Sequence, residues 1–247
     1  MTEDYDFRAP RLYVEAELAS GEVLTLEREQ ASYLLNVLRL ADGAAVHVFN
    51  GRDGEWRALV SRVGRRETRL AVEHQLRPQQ GGPDLHYLFA PLKRSRLDYM
   101  VQKATELGVS RLVPVMTRHT VAERVNLERM RANVVEAAEQ CGVLRIPEVD
   151  EPQPLGRLIA EWDADRRLVF CDEAAPVSDP IAALSAVAPG PLAVLIGPEG
   201  GFADTERDAL RRLPGVVRLA LGPRIMRADT AAVAALALVD AVLGDWR

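Results

Sequence analysis

Cysteine is almost missing: Cys141 and Cys171 stand alone in 247 residues, with no CxxC spacing. That excludes a disulfide framework or a zinc ribbon, and with no secretory leader in the acidic opening MTEDYDFRAP it makes a reducing cytoplasm the expected home. Long hydrophobic runs are missing too. The longest, from Ala231 to Val239, is stopped by Asp240 and is far too short to span a bilayer, so no membrane role is expected. Lysine occurs only at 93 and 103; the remaining cations are arginines. Net charge is −5 and the pI near 5.5, which excludes a nucleic-acid binder whose whole surface is cationic. His47, His74, His86 and His119 are scattered without ligand spacing, and no metal is expected. There is no GxxxxGK[ST], and Pro91-Leu92-Lys93-Arg94 stands where a dinucleotide fold would place GxGxxG.

What is present is a globular composition, 48% hydrophobic, ample for one large core or two modest ones. Contacts to a polyanion would have to come from local patches. One holds Arg52, Arg57, Arg62, Arg65, Arg66 and Arg69; the other holds Lys93, Arg94, Arg96, Lys103, Arg111, Arg118 and Arg124. Arginine forks suit phosphate oxygens, although a GC-rich coding sequence yields the same bias without any selection for binding.

Residues 12–18, 22–26, 44–49, 56–63 and 68–74 are short extended runs, several alternating apolar and polar, with Gly51-Arg52-Asp53-Gly54 as turn chemistry between two of them. One helix, 30–40, interrupts them, and the set predicts a small β-barrel over 1–77. Residues 78–83, part of the proline- and glycine-bearing stretch Arg77-Pro78-Gln79-Gln80-Gly81-Gly82-Pro83, form the expected linker. Over 84–247 strands alternate with helices, at 86–90, 111–115, 168–171, 192–196 and 216–221, which predicts a parallel α/β sheet. The first helix of this part is expected to be capped by Ser95 with Asp98 in a capping-box position, and to end at Gly108. A second runs from Asn126 to about Cys141. The last starts near Asp229-Thr230, one of which should cap it, and ends at Gly244; its alanine-rich faces suit a dimer contact as well as a core helix.

Two segments carry chemistry. Leu195-Ile196-Gly197-Pro198-Glu199-Gly200-Gly201-Phe202 follows an apolar strand and precedes a helix that Asp204 can cap. Its glycines let the main chain turn sharply and approach a ligand, and Glu199 inside such a turn suits a cation or a donor better than a phosphate. Leu219-Ala220-Leu221-Gly222-Pro223-Arg224-Ile225-Met226-Arg227-Ala228-Asp229-Thr230 likewise ends a strand, throws out a loop with two arginines and enters the terminal helix. Both loops are expected at the carboxyl ends of neighbouring parallel strands, where open α/β sheets bind ligands.

Five blocks in order resemble the SPOUT (α/β-knot) family, and specifically its branch that methylates N3 of a uridine in 16S ribosomal RNA. They are Asn36-Val37-Leu38-Arg39-Leu40 with Phe49-Asn50-Gly51; Gln102 through Val109; Ala138-Glu139-Gln140-Cys141-Gly142; Ile196 through Gly201; and Leu221 through Arg227. The resemblance implies an N-terminal PUA-like β-barrel, a C-terminal parallel-sheet α/β trefoil-knot domain, S-adenosylmethionine as methyl donor, and a homodimer that completes each site across its interface. It places the donor on main chain around Leu195, Ile196, Gly197, Gly200, Leu219, Leu221, Gly222, Ile225 and Met226. Glu199, Arg227 and Thr230 would lie nearest the transferred methyl. RNA contacts would fall to Arg39, Lys93, Arg94, Arg96 and Arg145, with 16S rRNA or the small ribosomal subunit as partner. Two positions depart from the family pattern. Asp229 stands where Glu is usual, and Val143 stands where Arg is expected, with Arg145 two residues on as the candidate for that charge.

Uridine N3 is an imide nitrogen that must lose its proton. Glu199, a water or an RNA phosphate could accept it, and Arg227 could steady the charge on the flanking carbonyl oxygens. A different ribosomal or transfer RNA nucleotide as target, and a non-catalytic RNA-binding assembly factor that keeps the fold, are the competing expectations.

Overall fold

The computed structural model describes residues 6, 8–64, 67–122, 124–176 and 179–246; Arg65 and Arg66 of the first arginine patch lie outside them. The chain divides into two units, one of Met1–Gly81 with Ala138–Ile146, the other of Gly82–Ala137 with Pro147–Arg247.

The first unit is built on a five-stranded sheet of β1 (Arg11–Tyr13), β2 (Val23–Thr25), β3 (Ala45–Phe49), β4 (Glu55–Val63) and β5 (Glu67–Arg77). Its spatial order is β1-β3-β4-β5-β2, antiparallel except where β1 runs parallel to β3. Alternation decides the inner face: Val46, Val48, Ala58, Val60, Leu70 and Val72 are buried together, with Leu34 added from the helical segment. That segment is not the single helix expected over 30–40. After one turn of α1 (Arg28–Ser32) it widens into a π-helical stretch, Tyr33–Val37, closed by the Leu38 N–H donating to Tyr33 O at 2.9 Å. The following Arg39 has φ +56°, a left-handed conformation rare for a side-chain-bearing residue.

One buried carboxylate ties this unit together. Glu55 is fully enclosed and receives Arg11 Nε at 2.8 Å and Arg77 Nε at 2.6 Å. Burial pushes its pKa up, but the two guanidiniums outweigh that and hold it below the ordinary glutamate value. The same arginines hold the 138–146 segment: Arg77 donates to Gly142 O at 3.0 Å, and the Arg11 guanidinium lies so near Gly142 that a Cβ there would sit 3.1 Å from it.

The second unit is a wholly parallel sheet among the described residues. Its strands are β6 (Leu85–Phe89), β7 (Arg111–Met116), β8 (Glu148–Val149), β9 (Gln153–Pro154), β10 (Arg167–Cys171), β11 (Leu192–Ile196) and β12 (Val216–Leu219). The order is β12-β10-β11-β6-β7-β8, with β9 also on β7. The central β11, Leu-Ala-Val-Leu-Ile, is buried at every position, as a strand covered on both faces must be. α2 (Arg94–Glu106) and α5 (Pro180–Ser185) pack on α7 (Ala228–Val242); α4 (Leu155–Ala160) packs on α6 (Asp204–Arg211). The remaining helix is α3 (Leu127–Cys141), where Asn126 Oδ1 accepts the Arg129 N–H at 2.9 Å.

Three capping expectations fail for one reason. The residue with extended backbone just before each helix is Lys93, Ala203 or Arg227, one to three places upstream of the polar residue chosen from sequence, so Ser95, Asp204 and the Asp229-Thr230 pair sit inside the first turn. Asp98 is used elsewhere, by Arg129 at 2.7 and 2.8 Å and Asn133 at 3.0 Å on α3. At α6 it is Glu206 that reaches back to the Ala203 N–H at 3.0 Å.

Candidate functional site

The carboxyl ends of β10, β11 and β12 enclose a cavity of about 440 Å³ in the second unit. Its walls are the glycine turn after β11 and the arginine loop after β12, and both converge on it as expected. The two parent strands, however, are not neighbours: β10 lies between them. The floor is therefore Cys171, Asp172 and Glu173, three residues that the sequence reading did not assign to the site.

The glycine turn is held from within. The Gly201 N–H donates to Pro198 O at 2.9 Å, and Gly201 has φ +68°. A Cβ on Gly197 would meet the Phe202 ring at 2.5 Å, and Phe202 is itself fixed edge-on against Phe170, centroids 5.2 Å apart. Gly197 is thus glycine because the turn folds back onto a core aromatic. His119 braces the turn from outside, with Nδ1 3.2 Å from Gly200 O and 3.1 Å from Gly201 O.

Of the residues expected to meet the donor, Ile196, Gly197, Gly200, Leu219, Leu221, Gly222, Ile225 and Met226 line the cavity. Leu195 does not: its side chain is fully buried in the core between the sheet and α4 and α6, because alternation along β11 turns it away from the cavity. Glu199 and Arg227 line the mouth, whereas Thr230 does not. Thr230 is exposed in the first turn of α7, its N–H received by Asp229 Oδ1 at 2.9 Å.

The expected RNA contacts are dispersed. Arg39 is exposed and Arg145 half-buried in the first unit; Lys93 and Arg94 are exposed at the start of α2. Arg96 instead turns to the site, ion-paired with Glu199 and 4.0 Å from Asp229 Oδ2. Arg224 and Arg227 are exposed at the cavity and make no ion pair among the described residues, while Ile225 between them is 91% exposed. The mouth is cationic and open; the interior is mostly apolar.

Below it, Asp172 is fully buried and accepts from Arg207 Nη1 at 3.0 Å and from Arg218 Nε and Nη2 at 3.0 and 2.8 Å. Burial alone would raise this carboxyl; the Ala174 N–H and the guanidiniums outweigh it and keep the pKa low. Burial pushes the Cys171 thiol up to about 12, so it remains neutral.

A model of the RNA methyltransferase domain matches residues 80–240, and one of the RNA methyltransferase PUA domain matches residues 26–72. The ribosomal RNA small subunit methyltransferase E of a Synechocystis species is 30% identical, over 95% of this chain and 78% of its own. The chain belongs to the ribosomal RNA small subunit methyltransferase E family. The family enzyme of Rickettsia conorii is 28% identical over 93% of this chain and 94% of its own. A putative methyltransferase from Legionella pneumophila, solved in complex with the bound cofactor SAM, is 29% identical with a TM-score of 0.85, covering 96% of this chain and 99% of that one. The resemblance read from five sequence blocks is borne out, as is the architecture of a PUA domain with a parallel-sheet α/β domain of the SPOUT class. The protein is an RNA methyltransferase.

Proposed function

We propose that this enzyme transfers a methyl group from S-adenosylmethionine to N3 of a uridine in 16S ribosomal RNA, acting in the cytoplasm as a homodimer. The observation that carries the reading is the single cavity to which both glycine-bearing loops contribute, at the carboxyl ends of parallel strands. Its 440 Å³ falls within the roughly 300–1,000 Å³ of ordinary cofactor sites, and an apolar interior with a few polar groups suits an adenine, a ribose and an amino-acid tail. The Legionella relative binds the same donor.

When bound, S-adenosylmethionine supplies an electrophilic methyl group that needs little activation. The residues of this chain then do the rest. Walls at Gly197, Gly200, Leu221 and Met226 hold the donor through main chain. Arg227, which makes no ion pair among the described residues, is available for the carbonyl oxygens flanking N3, where charge grows as the proton leaves. Glu199 takes that proton, and Arg96 holds the carboxylate at the mouth; Thr230, outside the cavity lining, is left to the first turn of α7. Alignment of the nitrogen lone pair with the breaking bond is the main task, and such positioning lowers a barrier by about 7–11 kcal/mol in good cases. Because N3 lies on the pairing edge, the uridine enters unpaired or flipped. Arg39, Lys93, Arg94 and Arg145 are assigned to the RNA backbone, and the partly exposed Val233, Ala234, Ala237 and Leu238 of α7 to the partner copy.

Mass spectrometry of 16S rRNA nucleosides from cells lacking the protein tests this directly. The expected result is loss of 3-methyluridine, restored by the wild-type gene. Persistence at the normal level overturns the substrate assignment.

A further inference from the structure

The two walls of the cavity come from strands that do not touch, yet both are tied to one atom group between them. We infer that Asp172 is a positioning residue for the donor site, holding the glycine turn and the arginine loop at a fixed separation; this rests on the proposed binding of S-adenosylmethionine in the cavity.

Asp172 follows directly on β10, the strand flanked by β11 and β12, and its side chain is fully buried. Its main-chain N–H donates to Leu219 O at 2.9 Å, so its backbone is registered to the point where β12 ends and the arginine loop begins. One carboxylate oxygen, Oδ2, takes the Arg218 fork at 3.0 and 2.8 Å, from the residue just before Leu219. The other, Oδ1, takes Arg207 Nη1 at 3.0 Å, from the helix that leaves the glycine turn. Arg211, one turn further along α6, approaches Oδ2 at 3.4 Å. Oδ1 thus serves the α6 side, while Oδ2 serves β12 and, at the longer distance, α6 as well.

The arms continue to the lining itself. The second Arg207 nitrogen donates to Glu173 Oε1 at 2.7 Å, and that same oxygen lies 3.5 Å from where a Cβ on Gly201 would stand. Arg218 Nη2 also donates to Ala174 O at 2.9 Å, binding the segment after β10 to β12. A buried carboxylate is costly unless every lone pair is used, and a planar guanidinium fork fixes direction as well as distance. A surface salt bridge would transmit little; this one is enclosed and shared by three elements. Removing the negative charge takes away the one acceptor that faces Arg207, Arg211 and Arg218 together, and the carboxylates of Glu173 and Asp208 that remain to the α6 arginines do not reach Arg218, so nothing charged among the described residues then ties the two walls.

The test compares the intact protein with Asp172→Asn, Arg207→Gln, Arg218→Gln and the double arginine variant, reading Kd for S-adenosylmethionine by calorimetry, kcat and KM on small-subunit rRNA, and the unfolding midpoint. Asp172→Asn should weaken donor binding about tenfold or more, since small misplacements of a site cost that much or more. At saturating donor its kcat should stay within about threefold of wild type, because Glu199 and Arg227 are untouched. Each arginine variant should weaken binding by itself, and the double should lose less than the product of the two factors, since both act through one carboxylate. Asp172→Asn protein that folds and binds the donor as wild type does overturns the inference. So do arginine losses that multiply fully, and the three arginine variants decide the matter if Asp172→Asn fails to fold. Wild-type protein that gives no heat with S-adenosylmethionine instead overturns the proposed function.

Discussion

Cys171 and Cys141 carry the same thiol into different surroundings. Cys171 closes the strand beneath the cavity and burial raises its pKa to about 12, while Cys141 ends α3 exposed. Only the thiolate attacks alkylating reagents, so at pH 8 iodoacetamide should label Cys141 at least about a hundredfold faster than Cys171. Peptide mass spectrometry over time reads this, and equal rates would contradict the burial. Arg227 makes a second case at this scale. Arg227 makes no ion pair among the described residues and stands at the mouth, so Arg227→Ala should lower kcat by about 10²–10³, the cost of one lost charge-stabilising donor, while calorimetric affinity for S-adenosylmethionine stays close to wild type. Equal collapse of binding would assign Arg227 to the donor instead. Glu199 and Arg227 were legible because each stands in a glycine- or proline-marked loop. Asp172 was not, since Cys-Asp-Glu after an apolar strand has no turn chemistry to distinguish it, and its arginines lie 35 to 46 residues away in sequence.

Helices show where sequence signals stop. Type and extent came through for α2, α3 and α7, whose apolar residues recur at helical spacing. Caps did not, because the capping residue is fixed by the angle at which the chain enters, a tertiary matter. α7 also contains a feature that periodicity marked only as the end of a greasy run. Asp240 is 1% exposed, neither carboxylate oxygen has a hydrogen-bond partner among the described residues, and Gly244 closes over it so tightly that a Cβ there would lie 2.7 Å from Oδ1. Burial, aided by the charge of Asp245, raises its pKa from 3.8 to about 7. The folded state therefore binds this proton more tightly than the unfolded one, and stability from this group falls as pH rises from about 4 to about 7, then levels off. Asp240→Asn should stabilise the protein at pH 8, by at most about 4 kcal/mol, and leave it nearly unchanged at pH 4. Urea titrations at both values test the sign; an equal gain at the two would show that ionisation is not the cause.

At the scale of the whole molecule, the change from short alternating strands to strand-helix alternation was plain in the sequence, and so was the class of the parallel sheet. Two things were hidden. Periodicity identifies a strand but not its neighbour, so the insertion of β10 between the cavity-forming strands had no local signature. Nor could composition show that 138–146 belongs with the N-terminal strands, since the tie is made by Arg11 and Arg77 through a carboxylate on β4. Glu55→Ala leaves those two cations facing a void and should destabilise the first unit by about 3–5 kcal/mol, the usual result of orphaning a buried ion-pair partner. Hydrogen exchange resolved by segment should show faster exchange in β1, β5 and 138–146 together; a response confined to β4 would argue against the shared tie.

The placement of the arginine loop sets an order of events in synthesis. One whole side of the cavity lies beyond residue 218, while the floor and the opposite side are complete by residue 202. A ribosome-bound chain halted before β12 can have its sheet nearly built and still offer the methyl donor only half an enclosure. Cofactor affinity in this enzyme accordingly depends on the arginine loop being in place, however complete the rest of the sheet is.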